Sequence, residues 1–443
     1  MAATGARRIS ALPPLFAPRP VASRWRGFAP PDPSEFAPNM KIVAQLFLLV
    51  VGTAFLTSRA RATGTNGSSE IVLGMSTALT GPAAKLGETV RDGVLAGLER
   101  ANRAGGVGGR HLRLLVLDDG YEPARTAPNM RQLLERDHVL AVVGNVGTPT
   151  AVAAIPIANE QKTLFFAPYT GAGSIRKNPP DRYVINYRAS YEEEIRAVFT
   201  TLLSQGGLQL EDIALFTQKD AYGDAGYAAC IAALRPHGLK EERQLLHVRY
   251  DRNTLAVEDA LASLLFAPRQ PRVVVMVGSY APCAKFIKLA DAAGFKPVFH
   301  NLSFVGSESL AKELGPLASK VLVTQVVPDP FDTTLPIVCE YRADLQMSAS
   351  GTSPSFASLE GYLAARILIA ALEQLPGPPT REGTVTALEA LGEFDLGLGE
   401  PLELARLNHQ ACHHVWLTRL QNGAFAPLPW SELGRLLRQE TRL

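Results

Sequence analysis

The sequence predicts an α/β chain folded as two doubly wound parallel-sheet lobes joined by a multi-strand hinge. Three observations carry this expectation. Strand-like runs such as "VLAVVG" and "RVVVMVG" are apolar almost throughout, as strands buried on both faces of a parallel sheet are. These runs alternate with helix-length segments in two successive series. The segment from Thr334 onward forms no third series, so it has to return to lobes already built, which requires several crossings.

The first series opens with "IVLGMSTAL" as a buried strand, followed by a helix over Lys85–Ala104. Next come "HLRLLVLDD" (strand), Ala124–Arg136 (helix), "VLAVVG" (strand), Thr148–Asn159 (helix) and "TLFFAP" (strand). A second series is expected to begin near Tyr183. It runs through a helix at Ser190–Ser204, "DIALFTQ", a helix at Tyr222–Arg235, "QLLHVRY", a helix at Asn253–Leu265, "RVVVMVG" and a helix at Ala281–Ala292. "VFHNLSFV" and "VLVTQVV" are its last strands. Thr334–Met347 and Ser355–Leu375 then read as long helices. Glu360, Arg366 and Glu373 interrupt the second too often for a membrane span, so it is expected in a core. "HHVWLTRL" is a closing strand.

At 443 residues, 47% hydrophobic and 19% charged, the chain has enough material for two domains and is not disordered by composition. Its formal net charge of +2, with Lys and Arg scattered, gives no footprint for nucleic acid. Near the N-terminus, "MKIVAQLFLLVVGTAFLTSRARA" has the basic start, apolar run and Ala60-Arg61-Ala62 order of a secretory signal. Residues 40–62 are therefore expected to be a cleaved signal peptide, with Met40 as the biological start and a mature chain beginning near Thr63. Residues 1–39 then form a non-native or disordered extension, and the mature protein is expected to be exported; a signal anchor with a 39-residue cytoplasmic tail is the rival reading.

Cys230, Cys283, Cys339 and Cys412 show no paired spacing, and four buried free thiols is the plainer expectation. His409, Cys412, His413 and His414 lack a second ligand pair at zinc-site spacing, so no metal is expected.

Signals for catalysis fail one by one. "GGVGG" at Gly105–Gly109 precedes a strand, the reverse of the order a dinucleotide fingerprint needs. There is no Gly-Lys-Ser/Thr phosphate cradle, no G-x-S-x-G elbow and no H-E-x-x-H. Asp118-Asp119 reads as a strand end carrying two solvated acids. Neither an enzyme nor a cofactor is expected.

What remains is a binding signal. "VVGNVGTPT" ends a strand and opens a helix, and ligands of open α/β sheets bind at the carboxyl ends of strands. Thr148 is suited to cap that helix, Pro149 to sit in its first turn, and Gly147 to let a ligand approach the backbone. The exposed amides would favour an anion. "PYTGAGS" repeats the arrangement after the next strand with Thr170 and Gly171, so the two loops together suggest a carboxylate site.

The stretch "IVLGMSTALTGPAAKLGETVRDGVLAGLERANRAGGVGGRHLRLLVLDDGYEP" resembles the start of the periplasmic leucine/isoleucine/valine-binding protein family, type I periplasmic binding proteins that serve ABC importers. The likeness continues in register through "VVGNVGTPT", "FFAPYTGA", "DAYGDAGY" and "VGSYAPCAKFIKLA", over roughly residues 70 to 425. It implies three hinge crossovers, with lobe 1 at 70–187 plus 326–393 and lobe 2 at 188–325 plus 394–443. It also implies a monomer that captures a small carboxylate-bearing solute between closing lobes and hands it to an inner-membrane ABC permease. A sensory receptor of the same fold feeding a signalling protein is the first alternative, and an exported enzyme the second.

Carried over position by position, Thr148 matches the hydroxyl that holds the ligand carboxylate, and Tyr169 and Gly171 match two positions of the next loop. Thr170 stands in for the hydroxyl that Gly171 lacks. Tyr222 and Tyr280 match aromatics closing from the second lobe, and Leu86 matches a side-chain specificity position. The chain departs from the pattern twice. Ser303 stands where amino-acid binders carry an acid for the ligand ammonium. Gly147, with Gly120 or Tyr121, replaces the first-lobe disulfide. The missing acid favours a ligand without an amino group, such as an aromatic acid.

Overall fold

The structure, a computed structural model, describes residues 70–204, 207–317, 320–348 and 353–440. The expected signal peptide (40–62) and extension (1–39) lie outside the described residues. Strands β1 (Glu70–Thr77), β2 (His111–Asp118), β3 (Ala141–Val143), β4 (Leu164–Phe166) and β5 (Val184–Ile185) form one wholly parallel sheet in the order β2-β1-β3-β4-β5. Helices α1 (Ala84–Arg103), α2 (Pro123–Arg131) and α3 (Thr148–Glu160) connect the strands. The second series does not begin at Tyr183. Val184–Ile185 pair with Phe165–Phe166 and close the first sheet, and only then does the chain cross.

In the second lobe α4 (Tyr191–Ser204), β6 (Ile213–Gln218), α5 (Ala221–Leu234), β7 (Leu246–Tyr250), α6 (Glu258–Leu265) and β8 (Val273–Val277) follow in turn. They continue with α7 (Tyr280–Ala292), β9 (Val298–Asn301), α8 (Ser307–Leu314) and β10 (Val321–Gln325). Helix α6 starts at Glu258, not at Asn253, because Asn253 takes a left-handed backbone (φ 56°) and donates its amide to Glu122 of the first lobe.

Helices α9 (Pro336–Ser348), α10 (Phe356–Glu373) and α11 (Arg381–Glu389) return to the first lobe. Strands β11 (Gly392–Phe394) and β12 (Leu402–Leu404) form a small antiparallel ribbon whose Leu402 and Leu404 pack in that same core. The lobe boundary expected at 393/394 thus falls inside β11. Only β13 (Trp416–Gln421) and β14 (Ala424–Pro427) rejoin the second sheet, as antiparallel edge strands in the order β14-β13-β10-β9-β8-β6-β7. Helix α12 (Trp430–Glu440) follows.

Small residues let α10 lie directly on α1. A Cβ at Gly93 would come 1.9 Å from the Ser358 carbonyl oxygen, and one at Gly361 would come 2.3 Å from that of Val90. The apolar segment that reads as too interrupted for a membrane is this helix, buried along most of its length. No described helix is long and apolar enough to cross a membrane.

The three crossings run side by side. Asn186 N–H donates to His409 O (2.8 Å), Cys412 N–H donates to Tyr187 O (2.7 Å), and the Tyr187 hydroxyl donates to Val326 O (3.3 Å). Each strand of the hinge is thereby tied to another, as a unit that bends without coming apart requires.

Candidate functional site

The carboxyl ends of β3, β4 and β6, with the turn after β9, converge on a buried cluster between the lobes. Thr148 is the first residue of α3 rather than its cap. The preceding Gly147 holds the cap position at φ 107°, ψ 152°, and no side chain caps the helix. The Thr148 hydroxyl instead shares a 2.6 Å hydrogen bond with that of Thr170, which lies 3.2 Å from the Tyr191 hydroxyl. Both threonines are fully buried. The two loops do meet, through their hydroxyls.

The backbone access expected at Gly147 is closed by an aromatic ring. A Cβ there would fall 2.1 Å from Tyr121 Cε2, so this ring lies on the glycine. Where the family pattern has a disulfide, this chain packs Tyr121 against a bare Cα. Gly171 is covered in the same way by Tyr191, 2.5 Å from the position of its missing Cβ.

Across the cleft, Phe304 inserts its ring among Tyr121, Tyr169 and Tyr222, with centroids at 6.1, 5.7 and 4.4 Å. The Tyr169 hydroxyl donates to the Ser303 carbonyl at 3.3 Å, and Gln218 Nε2 donates to the Tyr121 hydroxyl at 3.3 Å. These bonds join the lobes in a closed form. Tyr222 belongs to this cluster, and its buried hydroxyl finds no partner. Tyr280 is only half-buried and reaches the backbone of Lys85, at the rim. Leu86 is buried beside Gly306 and lines, with Glu308, Lys312 and Ser355, a cavity of about 370 Å³ between the lobes.

Several residues of the site carry no local sequence signal. Arg188, fully buried where the chain first crosses, donates through Nε (2.8 Å) and Nη2 (2.6 Å) to Glu360 of α10 and lies 4.0 Å over the Tyr169 ring. Its Nη1 has no partner. Burial lowers the Arg188 pKa, but Glu360 more than offsets this and the guanidinium stays charged. Glu194 of α4 accepts from Ser303 N–H and Ser303 Oγ, each at 2.8 Å, and from Thr324 Oγ1 at 2.5 Å. An acid therefore does stand at Ser303, delivered from another element.

Two further expectations are corrected. Asp119 is buried, not solvated, and accepts from Ser76 Oγ, Tyr121 N–H and Thr126 Oγ1, so it orders the Tyr121 loop. Asp118 takes the Leu79 and Gly120 amides and the Thr80 hydroxyl. Cys339 is exposed, whereas Cys230, Cys283 and Cys412 are buried free thiols. His409 is occupied by the Val184 carbonyl and Glu389, and among the described residues no His, Cys, Asp and Glu group is arranged for a metal.

Closure has a titratable contact. Glu308 of α8 accepts the Phe356 N–H of α10 at 2.8 Å, joining the second lobe to the first. Burial, with Asp329 adding and the Phe356 amide opposing, pushes this carboxyl up to about 7. A carboxyl raised in the closed form holds its proton more tightly there than when opening exposes it. Its contribution to closure is complete below the ordinary carboxylate range and is lost as pH rises through about 7. The closed fraction is expected to be larger at about pH 6 than at about pH 8, and Glu308→Gln should flatten that dependence. Small-angle scattering at the two pH values reads both effects.

Comparison with known proteins agrees with this architecture. Residues 70–424 match the model of a family described as "Periplasmic binding protein". A crystal structure of a possible leucine/isoleucine/valine-binding protein from Rhodopirellula baltica is 47% identical, with a TM-score of 0.80 covering 84% of this chain and 99% of that one. An amino acid binding protein of Pseudomonas aeruginosa is 24% identical, covering 70% of this chain and 82% of its own length. A Leu/Ile/Val-binding protein of Rhizobium johnstonii is 23% identical, covering 75% and 87%.

Proposed function

The chain belongs to the periplasmic binding protein family, and from that membership we propose that it captures a small carboxylate-bearing solute between its lobes and presents it to an inner-membrane ABC permease. It is a substrate-binding protein and not an enzyme. One observation carries the ligand reading: the two loops after β3 and β4 bring buried hydroxyls together at Thr148 and Thr170, against aromatic residues of the facing lobe. Hydroxyls, a helix start and the unpartnered donors of Tyr222 and Arg188 suit an anion's oxygens.

Bridging both lobes, a ligand favours the closed form by its extra contacts there, and a permease can read that form. The ring of Phe304 fills the middle of the cluster, so a ligand enters by displacing or stacking on it. The preference for an acid without an amino group comes from Ser303 standing where amino-acid binders carry an acid, and Glu194, bonded to Ser303 Oγ, sets a carboxyl group beside that position.

A thermal-shift screen over amino acids, aliphatic acids and aromatic acids tests the reading, because a ligand of the folded state raises the melting temperature. A hit should also compact the protein in scattering. If no carboxylate does both, the reading fails. For the ligand so found, Thr148→Val should weaken binding by about 1–2 kcal/mol in calorimetry while the fold persists, since the valine keeps the volume and loses the hydroxyl. Unchanged affinity would assign Thr148 to packing alone.

A further inference from the structure

We propose that Glu122 latches the two lobes at the rim of the cleft opposite the hinge. Its carboxylate is gripped across the cleft by Arg252 and Asn253, so the chain itself favours the closed form before any solute adds its contacts. The latch works whatever solute the cleft takes.

Topology places the partners. Strand β2 is the edge of the first sheet away from β5, where the first crossing leaves. Strand β7 is the edge of the second sheet away from β10 and β13, which carry the other two crossings. Glu122 stands in the loop after β2, and Arg252 and Asn253 in the loop after β7. The two loops meet through Arg252 Nη2, which donates to Glu122 Oε2 at 2.7 Å, and Asn253 Nδ2, which donates to Oε1 at 2.5 Å. The Asn253 amide also reaches the Gly120 carbonyl at 3.3 Å. A contact at these edges has the longest lever about the hinge, so it separates furthest for a given bend.

Chemistry supplies the second reason. Among the described residues, every bond of the Glu122 carboxylate goes to the other lobe. Arg252 has one other acid, Asp220, at 3.7 Å, and its buried Nε has no partner. Asp220 in turn accepts from Gln218 Nε2 (2.7 Å) and from the Tyr222 amide (2.9 Å). Since Gln218 also donates to the Tyr121 hydroxyl, the latch and the aromatic wall close together. The Arg252 and Glu122 side chains are 25% and 38% exposed, so the pair is partly screened and its strength falls with salt. A solute that meets lobes already biased toward closure binds with a higher apparent affinity.

The test follows closure itself, with no solute added, by single-molecule FRET between one dye on each lobe. Wild type is expected to show a closed population that shrinks as KCl rises from about 50 mM to about 500 mM. Glu122→Gln should lower the closed-to-open ratio about two- to fivefold and remove most of that salt dependence. The variant should fold normally, because the Glu122 side chain does not cap α2 and its backbone carbonyl still accepts the Arg125 and Thr126 amides. Arg252→Gln should act alike, and the two substitutions together should lose little more than either alone. An unchanged ratio in Glu122→Gln, or losses that simply add, overturns the latch. So does a wild type with no closed population. None of these outcomes bears on carboxylate capture, which the thermal-shift screen decides.

Discussion

Glu360→Ala is expected to cost about 3–5 kcal/mol of stability in denaturant unfolding, the largest effect of any single side chain considered. The Arg188 and Glu360 side chains are 0% and 6% exposed, and their bidentate contact is the only charge pairing Arg188 has among the described residues. Removing the acid leaves a guanidinium buried, unpaired and stacked on Tyr169, with Nη1 already lacking a partner. The penalty is that of an uncompensated charge, so it exceeds the net worth of the pair. Arg188→Met with Glu360→Leu should therefore recover much of the loss, because two apolar groups of similar volume leave nothing unpaired. If the double variant is as unstable as the single one, the pair contributes packing and not charge. The pair joins the first crossing to α10, so the single variant should also loosen the closed form.

How far the sequence shows this protein depends on the range over which each feature is written. Apolar strands and their alternation with helices are local, and from them the two lobes, the parallel order and the return of the late helices can be read. Val184–Ile185 went to the wrong series because a two-residue strand has no period to detect. In the candidate site, Thr148 and Thr170 could be picked out because each sits just after a buried strand, whereas Tyr169 and Tyr222 came only from the resemblance to the family pattern. Glu194 could not. It is 109 residues from Ser303, on a helix whose first turn, Glu192-Glu193-Glu194, looks like a solvated acidic cap. Only the packing of α4 across the second sheet turns the third of those acids inward. Glu360 was masked in the same way, as one charge in an apolar helix whose partner lies 172 residues away. Gly120 or Tyr121 stands in place of a cysteine, but nothing local says the Tyr121 ring would lie on Gly147.

Gly147→Ala is expected to damage ligand capture more than any substitution of a hydroxyl, and two separate physical reasons add up there. The backbone at φ 107°, ψ 152° lies in a region that only glycine occupies readily, so a side chain there costs roughly 1–3 kcal/mol. The added Cβ would also stand 2.1 Å from Tyr121 Cε2 and 3.1 Å from the Thr150 hydroxyl. The first contact cannot be tolerated, and the ring has little freedom to yield: Tyr121 is 1% exposed, its amide is held by Asp119, and its hydroxyl accepts from Gln218 of the other lobe. Overpacking of this kind typically costs about 1–3 kcal/mol. Either Tyr121 swings out, breaking the Gln218 contact between lobes, or the start of α3 shifts and carries Thr148 away from Thr170. Both routes spoil the grip while leaving the sheets intact. The expected outcome is a folded protein with a lowered melting temperature and about 2–4 kcal/mol weaker binding of the screened ligand. Adding Tyr121→Ala to Gly147→Ala separates the two causes. It relieves the clash and leaves the backbone strain, so part of the stability should return. If the second substitution restores nothing, the strain at residue 147 accounts for the whole effect, and Tyr121 is no wall of the site.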